Sequence, residues 1–345
     1  MSRVDIRRPR VLLLTVALLA TPFASSEESG ALTVCALQGT QDMFADIVER
    51  HADATLQVSA SPAQMLENVA ACNAIVGMPG GRIAADLIRL GENLQWIQTF
   101  SAGVEGFAPL LVDREIVLTN VKILQGPEIA DHAMALLLNF TRDLKFYNEQ
   151  SQWQRNARLP HIELRGKTVL VIGLGGIGTQ IAQRASAFDM RVIAIDPKDI
   201  PLHRDVAYVG KPDELDALLP QADVVISSVP HTPQTDQMLG AKQFSLMKDG
   251  VYLINVSRGR IVDTDALVAA LRSGKVVAAG LDVTDPEPLP SGHPLWSMPN
   301  VTITPHIATR SDRLAERRTE LFRTNVRRFL DGQPLRHVVD KRQGY

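Results

Sequence analysis

Three residues whose side chains suit proton transfer and anion binding follow apolar runs typical of strands. Arg258 follows "LINVS", Glu287 lies in "GLDVTDPEP", and His306 follows "VTITP". A histidine can give a proton to a carbonyl oxygen near neutral pH, and an arginine can bind a carboxylate through two hydrogen bonds. A glutamate can orient the histidine and favour its charged form. Taken singly, each residue could be structural, but together they suit hydride transfer to a ketone.

A glycine turn upstream predicts the hydride carrier. The stretch "KTVLVIGLGGIG" has the G-x-G-x-x-G pattern between a strand and a helix, where a dinucleotide pyrophosphate binds. A glycine turn without a ligand is the structural alternative. The residues predicted to contact the pyrophosphate are Gly173, Gly175, Gly176, Ile177 and Gly178. Asp196 ends the next predicted strand, where a carboxylate accepts from the ribose 2′-hydroxyl and repels a 2′-phosphate. NAD is therefore favoured over NADP, although Lys198 is close.

The elements that position these residues alternate between strands and helices, which predicts parallel α/β sheets. In such sheets ligands bind at the carboxyl ends of the strands, so the polar residues should converge in one crevice. A long apolar helix is predicted over 127–150, and an amphipathic helix over 310–335. Strands are predicted near 31–37, 56–60, 73–78, 94–100, 168–172, 191–195, 223–228, 251–255, 277–281 and 301–304.

Composition narrows the function classes. The chain has 345 residues, which predicts two domains, and its formal net charge of −2 gives no electrostatic argument for nucleic acid or an anionic membrane as a partner. The last helix is rich in arginine, but Glu316 and Glu320 alternate with these residues, which is typical of a solvated surface.

The N-terminus resembles a secretory leader. Basic residues precede a short apolar run, and small residues follow it, so residues 1–26 are predicted to be a signal peptide. The protein is then exported or periplasmic if this leader functions, with no membrane partner in the mature form, and cytoplasmic otherwise. An uncleaved anchor and a misassigned start remain alternatives. The two cysteines, Cys35 and Cys72, could form one disulfide, but their apolar surroundings favour two unpaired core thiols.

Beyond the leader, the chain resembles the D-isomer-specific 2-hydroxyacid dehydrogenases. The motifs that carry the resemblance are "GLGGIG" with Asp196, "SSVPHTPQT", "INVSRGRIVD", "GLDVTDPEP" and "TPHIA", in the order of that family. The resemblance implies two Rossmann-like or flavodoxin-like parallel-sheet domains. A substrate domain would comprise 31–126 and 311–345, and an NAD domain at 127–310 would be inserted into it. It also implies a homodimer formed through the NAD domain.

The same resemblance assigns roles to residues. His306 becomes the acid/base with Glu287 as its partner, and Arg258 binds the substrate carboxylate and carbonyl. The loop "FSAGVEGF" supplies backbone N–H groups for that carboxylate. The residues implied there are Ala102, Gly103 and Val104, while Val229, Pro230 and Asp282 would contact the cofactor.

Two departures from the family pattern bear on the substrate. Glu105 stands where aspartate is usual, and Thr309 and Arg310 follow the histidine where small residues are common. Arg310 could contact a second carboxylate or simply narrow the pocket. Glu287 argues against formate as the substrate, since the formate dehydrogenases of this superfamily usually carry glutamine there.

The prediction is therefore an NAD-dependent enzyme that interconverts small 2-hydroxy and 2-keto acids, such as a glyoxylate or hydroxypyruvate reductase, with no metal. Two alternatives are a non-catalytic NAD-binding sensor that binds a partner, and a dehydrogenase of another small oxyanion such as phosphite.

Overall fold

The computed structural model describes residues 31–153, 155–201 and 204–345. The predicted signal peptide, residues 1–26, lies outside them. The described residues form two entirely parallel α/β sheets, which confirms the predicted fold class. None of their helices has both the length and the apolar character needed to cross a membrane.

The first sheet contains five strands. They are β1 (Leu32–Leu37), β2 (Ala54–Ser59), β3 (Ala74–Val76), β4 (Trp96–Gln98) and β5 (Val117–Thr119). Helices α1 (Ala45–Glu49), α2 (Pro62–Asn68), α3 (Arg82–Leu90) and α4 (Ala108–Leu111) lie between them in the chain. The strand order is β2-β1-β3-β4-β5. The pattern missed α2 and β5, and β5 has only three residues, too few to show a periodicity.

The second sheet contains seven strands. They are β6 (Thr168–Ile172), β7 (Arg191–Ile195), β8 (Tyr208–Gly210), β9 (Val224–Ser227), β10 (Val251–Asn255), β11 (Val276–Leu281) and β12 (Val301–Ile303). The remaining helices are α5 (Gly126–Thr141), α6 (Leu144–Asn148), α7 (Gly176–Ala187), α8 (Leu215–Leu218), α9 (Ala241–Leu246), α10 (Thr264–Ser273) and α11 (Leu314–Leu330). The strand order is β12-β11-β10-β9-β6-β7-β8. From β6 the chain adds β7 and β8 on one side of the sheet and then continues with β9 on the other side, and ligands bind at this switch between β6 and β9. The short strand β8 was not predicted.

The prediction of one helix over 127–150 was wrong. Helix α5 ends at Thr141, and α6 begins three residues later, at Leu144. Between them Asp143 adopts a left-handed backbone conformation with φ of 51°. Its carboxylate accepts the backbone N–H groups of Arg158 and Leu159, so these contacts fix the turn. Met134 and Leu137 of α5 are buried in the core of the second sheet rather than directed at another subunit.

Helix α11 returns to the first sheet. Its buried side chains pack with Val34 and Val76, strand residues of that sheet, as the amphipathic pattern predicted. These helix residues are Leu321, Phe322, Val326, Phe329 and Leu330. The return of α11 brings the end of the chain beside β5, where Val339 donates its N–H to the Leu118 carbonyl at 2.8 Å.

The two cysteines are paired, contrary to the expectation of free thiols. Cys35 on β1 and Cys72, which follows α2, form a disulfide with a Cα–Cα distance of 5.8 Å. Both residues are buried in the apolar core of the first sheet. Apolar surroundings therefore did not distinguish a free thiol from a buried disulfide.

Candidate active site

One large cleft is lined by residues that follow strands of both sheets. It contains most of the residues predicted for the site. These are Ala102, Gly103, Gly173, Gly175, Gly176, Ile177, Asp196, Val229, Pro230, Arg258, Asp282 and His306. Three predicted residues do not line it: Gly178 packs beneath the glycine turn, Glu287 contacts His306, and the Val104 side chain lies in the core of the first sheet. The prediction for Val104 concerns its backbone N–H, so burial of the side chain does not bear on it.

The glycine turn has the shape that a pyrophosphate requires. A side chain at Gly178 would overlap the carbonyl oxygen of Gly173, whereas a Cβ at Gly175 would meet nothing within 4 Å. Helix α7 begins at Gly176 without a side-chain cap, so its first N–H groups are free to bind phosphate oxygens. The glycines therefore give close helix packing on one side of the turn and open space for a ligand on the other.

Asp196 joins this turn to the end of β7. Its carboxylate accepts the backbone N–H groups of Leu174 and Lys198, each at 2.9 Å, and it also lines the cleft. A carboxylate oxygen can accept more than one hydrogen bond, so Asp196 retains capacity for a ribose hydroxyl. The residues present thus fit an adenine dinucleotide.

The segment 340–345 reaches the same end of the cleft. The Lys198 Nζ lies 4.7 Å from the ring centroid of Tyr345. Burial and the nearby Asp196 carboxylate raise the pKa of Tyr345. Lys341 donates to the Ile116 carbonyl at 3.1 Å, which ties the segment to the first sheet. No local sequence pattern indicated that this segment would meet the predicted cofactor site.

His306 is held in an uncommon backbone conformation. Its φ is 53°, a left-handed value that non-glycine residues rarely adopt. Asp282 fixes the segment on both sides, because its carboxylate accepts the N–H groups of Ile307 and Ala308, each at 3.0 Å, while its carbonyl accepts the N–H of His306 at 2.8 Å. Asp282 was predicted to contact the cofactor; in the structure its carboxylate shapes the loop that carries the histidine.

The histidine ring is oriented by Glu287. Nδ1 of His306 lies 2.7 Å from Oε1 of Glu287, and both side chains are partly exposed. Because Nδ1 is paired with the Glu287 carboxylate, Nε2 is the ring nitrogen that can exchange a proton with a ligand in the cleft. This is the arrangement of a histidine acid/base with a carboxylate partner.

Arg258 is oriented by groups from both halves of the site. Its Nε donates to Glu105 Oε1 at 3.0 Å, and its Nη1 donates to the Ser257 carbonyl at 2.7 Å. A Cβ at Gly103 would overlap Nη2, so a larger residue at this position would displace the guanidinium from its present place. Glu105, which stands where aspartate is usual in the family, thus links the loop at 100–107 to the arginine.

His231, Asp236 and Arg260 form a cluster of charged side chains near the glycine-turn end of the cleft. His231 Nε2 is 2.8 Å from Asp236 Oδ1, and Arg260 donates to both oxygens of the same carboxylate. Hydrogen bonds from Arg260 and His231 lower the pKa of Asp236 to about 2. His231 also lines the cleft.

Comparison with known proteins agrees with this geometry. Residues 134–308 match the NAD-binding domain of the D-isomer-specific 2-hydroxyacid dehydrogenases. A glyoxylate reductase from Thermofilum pendens is 33% identical over 81% of this chain and 84% of its own length. A D-3-phosphoglycerate dehydrogenase from Archaeoglobus fulgidus is 34% identical over 80% of this chain, which spans only 53% of that relative.

A solved structure shares the architecture. The glyoxylate/hydroxypyruvate reductase of Sinorhizobium meliloti, described as NADPH-dependent and in complex with NADP and sulfate, has a TM-score of 0.75 and 26% identity. The match covers 91% of this chain and all of that one. From its sequence relatives and the NAD-binding domain match, the chain belongs to the D-isomer-specific 2-hydroxyacid dehydrogenase family.

Proposed function

We propose that the protein is an oxidoreductase that interconverts small 2-hydroxy acids and 2-keto acids, in the manner of a glyoxylate or hydroxypyruvate reductase. The observation that carries the proposal is the convergence of His306, paired with Glu287 at 2.7 Å, and Arg258 in the cleft that begins at the glycine turn. A bound nicotinamide dinucleotide supplies or accepts the hydride.

Each residue then has one task in the reduction direction. Arg258 binds the carboxylate of the 2-keto acid and polarises its carbonyl, and the backbone N–H groups of Ala102 and Gly103 hold the other side of that carboxylate. His306 gives the proton from Nε2 to the carbonyl oxygen as the hydride reaches carbon 2. Glu287 keeps the ring oriented through this step.

We propose NAD rather than NADP as the cofactor. The support is the carboxylate of Asp196, which lines the cleft next to the glycine turn and would repel a 2′-phosphate. The Sinorhizobium meliloti relative is described as NADPH-dependent, so both cofactors need to be compared. We expect a lower KM for NADH than for NADPH. In the Asp196→Ala variant the difference between these two KM values should be smaller. A wild type that prefers NADPH would overturn this assignment.

The reaction can be tested by expressing residues 27–345 and following NADH absorbance with glyoxylate, hydroxypyruvate and pyruvate. In the His306→Asn variant we expect kcat to fall by at least about 100-fold, because general acid catalysis contributes on that order. In Arg258→Ala, kcat/KM should fall at least as far. His161→Asn and Arg272→Ala are matched controls, since both residues are exposed and outside the cleft.

The outcomes separate the alternatives. Turnover that survives both site variants would refute the assigned roles. Binding of NADH without reduction of any 2-keto acid would favour the sensor hypothesis, whereas reduction of NAD by phosphite would favour the other oxyanion.

We further propose that residues 1–26 export the protein. The buried disulfide supports this, because disulfides persist mainly in oxidising compartments. Fusion of residues 1–30 to alkaline phosphatase, which is active only after export, tests the leader; an inactive fusion would refute it.

A homodimer is supported by Leu144 and Trp153, which are 52% and 92% exposed in the segment that follows α5. Light scattering will measure the mass of the assembly.

A further inference from the structure

Helix α11 carries a cation whose burial is not compensated by a partner of opposite charge. The Nε of Arg318 is buried without a hydrogen-bond partner, and none of the described residues forms an ion pair with its guanidinium. The Glu128 carboxylate acts on Arg318 electrostatically but is not hydrogen-bonded to it: Oε2 accepts from Arg317 at 2.6 Å, and Oε1 has no hydrogen-bond partner within the described ranges. Burial lowers the pKa of Arg318, as expected for a charge removed from water.

The position of this cation is that of a ligand-binding group. Arg318 lines the same cleft as Arg258 and His306. Its guanidinium carbon lies 5.1 Å from the ring centroid of Phe100, the residue that opens the loop containing Ala102 and Gly103. The aromatic face compensates for part of the lost hydration but supplies no hydrogen-bond acceptor for the N–H groups.

Two other cations that line the cleft have charged neighbours of their own. Arg258 is held by Glu105, and Lys122 faces Lys198 and Asp340 towards the adenosine end. Arg310, which the sequence offered as a second carboxylate contact, is exposed and does not line the cleft. Within the part of the chain that the structure describes, Arg318 is thus a cation next to the substrate loop to which no carboxylate is hydrogen-bonded.

We propose that Arg318 binds a second anionic group of the substrate, a carboxylate or a phosphate carried at the end away from carbon 2. The inference rests on the proposed function and narrows it from 2-keto acids in general to those that bear two anions. Arg258 would hold the carboxylate beside the reacting carbon, and Arg318 the distal anion.

Substrates matched in length test this assignment. Oxaloacetate is compared with 2-oxobutyrate, 2-oxoglutarate with 2-oxovalerate, and phosphohydroxypyruvate with hydroxypyruvate. We expect kcat/KM to be at least tenfold higher for the dianionic member of at least one pair. The first two pairs report a distal carboxylate and the third a distal phosphate.

Variants then assign the preference to one side chain. Arg318→Gln should remove it by raising KM for the dianion at least tenfold, with kcat/KM for the monoanion changed less than threefold. Arg318→Lys keeps the charge and should retain part of the preference. Arg313→Gln is the matched control, because Arg313 is an exposed arginine just before the same helix and pairs with Glu316.

Two results would overturn the inference while leaving the proposed function intact. One is a wild type that reduces the monoanions as well as the dianions. The other is an Arg318→Gln variant that loses activity equally on both members of a pair, which indicates a structural role. If the wild type reduces glyoxylate or pyruvate but none of these acids, the inference fails alone; if it reduces neither those two nor these acids, the proposed function itself fails. A binding assay is independent of turnover: D-malate should raise the Tm of the wild type more than D-2-hydroxybutyrate does, and the difference should vanish in Arg318→Gln.

Discussion

Removing the disulfide should destabilise the first sheet substantially. Cys35 and Cys72 are separated by 37 residues in the sequence. A crosslink that closes a loop of this length lowers the entropy of the unfolded chain by about 13 cal/mol/K, or about 4 kcal/mol at 25 °C. We therefore expect the Cys35→Ala/Cys72→Ala variant to lose about 4 kcal/mol in its free energy of unfolding. Alanine is chosen because both sites are apolar and serine would bury an unpaired hydroxyl.

Tryptophan fluorescence during urea unfolding measures this loss in the right part of the molecule. Trp96 on β4 is fully buried in the first sheet, whereas Trp153 and Trp296 are 92% and 50% exposed and respond little to unfolding. The matched control is dithiothreitol, which should destabilise the wild type by the same amount and leave the alanine variant unchanged. A loss below about 1 kcal/mol would refute the entropic reasoning. Alkylation of both cysteines in the unfolded, unreduced protein would show that the disulfide is absent.

Three further predictions concern the site and its surroundings. Glu287→Gln keeps the size of the side chain but removes its charge, so kcat should fall about tenfold or more with little change in KM; an unchanged kcat would show that the pairing with His306 is not used. Gly178→Ala should abolish NADH binding or folding because its Cβ would overlap the Gly173 carbonyl oxygen. Gly175→Ala should fold normally and weaken only NADH binding. An equal Tm for the two variants would contradict this prediction. Burial lowers the pKa of His337 below its ordinary 6.5, so the unfolded state takes up protons first as the pH falls. The stability that the neutral His337 contributes above pH 6.5 is thus lost as the pH falls below it. In His337→Asn the free energy of unfolding should therefore vary less between pH 7 and pH 5. An equal pH dependence in both proteins would exclude a contribution of His337.

The candidate site was predictable where one short motif carries both the chemistry and its position. The glycine turn and Asp196 directly follow a strand, and Arg258 and His306 lie three residues beyond one. Parallel strands bring such ends together at one edge of a sheet. Glu105 and Arg318 carry no comparable signal. Each acts through a partner far away in the sequence, and the type of residue alone does not indicate which contact a charged side chain makes.

The sequence by itself predicted the two parallel sheets and the dinucleotide turn, and it singled out His306 and Glu287, whose side chains lie 2.7 Å apart in the structure. These follow from hydrophobic periodicity and from motifs whose residues are neighbours in the chain. Only the tertiary structure decided that Cys35 and Cys72 are paired, that Asp143 breaks the long helix, and that the segment 340–345 reaches the cofactor end. In each case the contact joins segments that are separated in the chain, and whether they meet depends on how whole helices and strands pack. A local sequence pattern does not specify the distance between such segments.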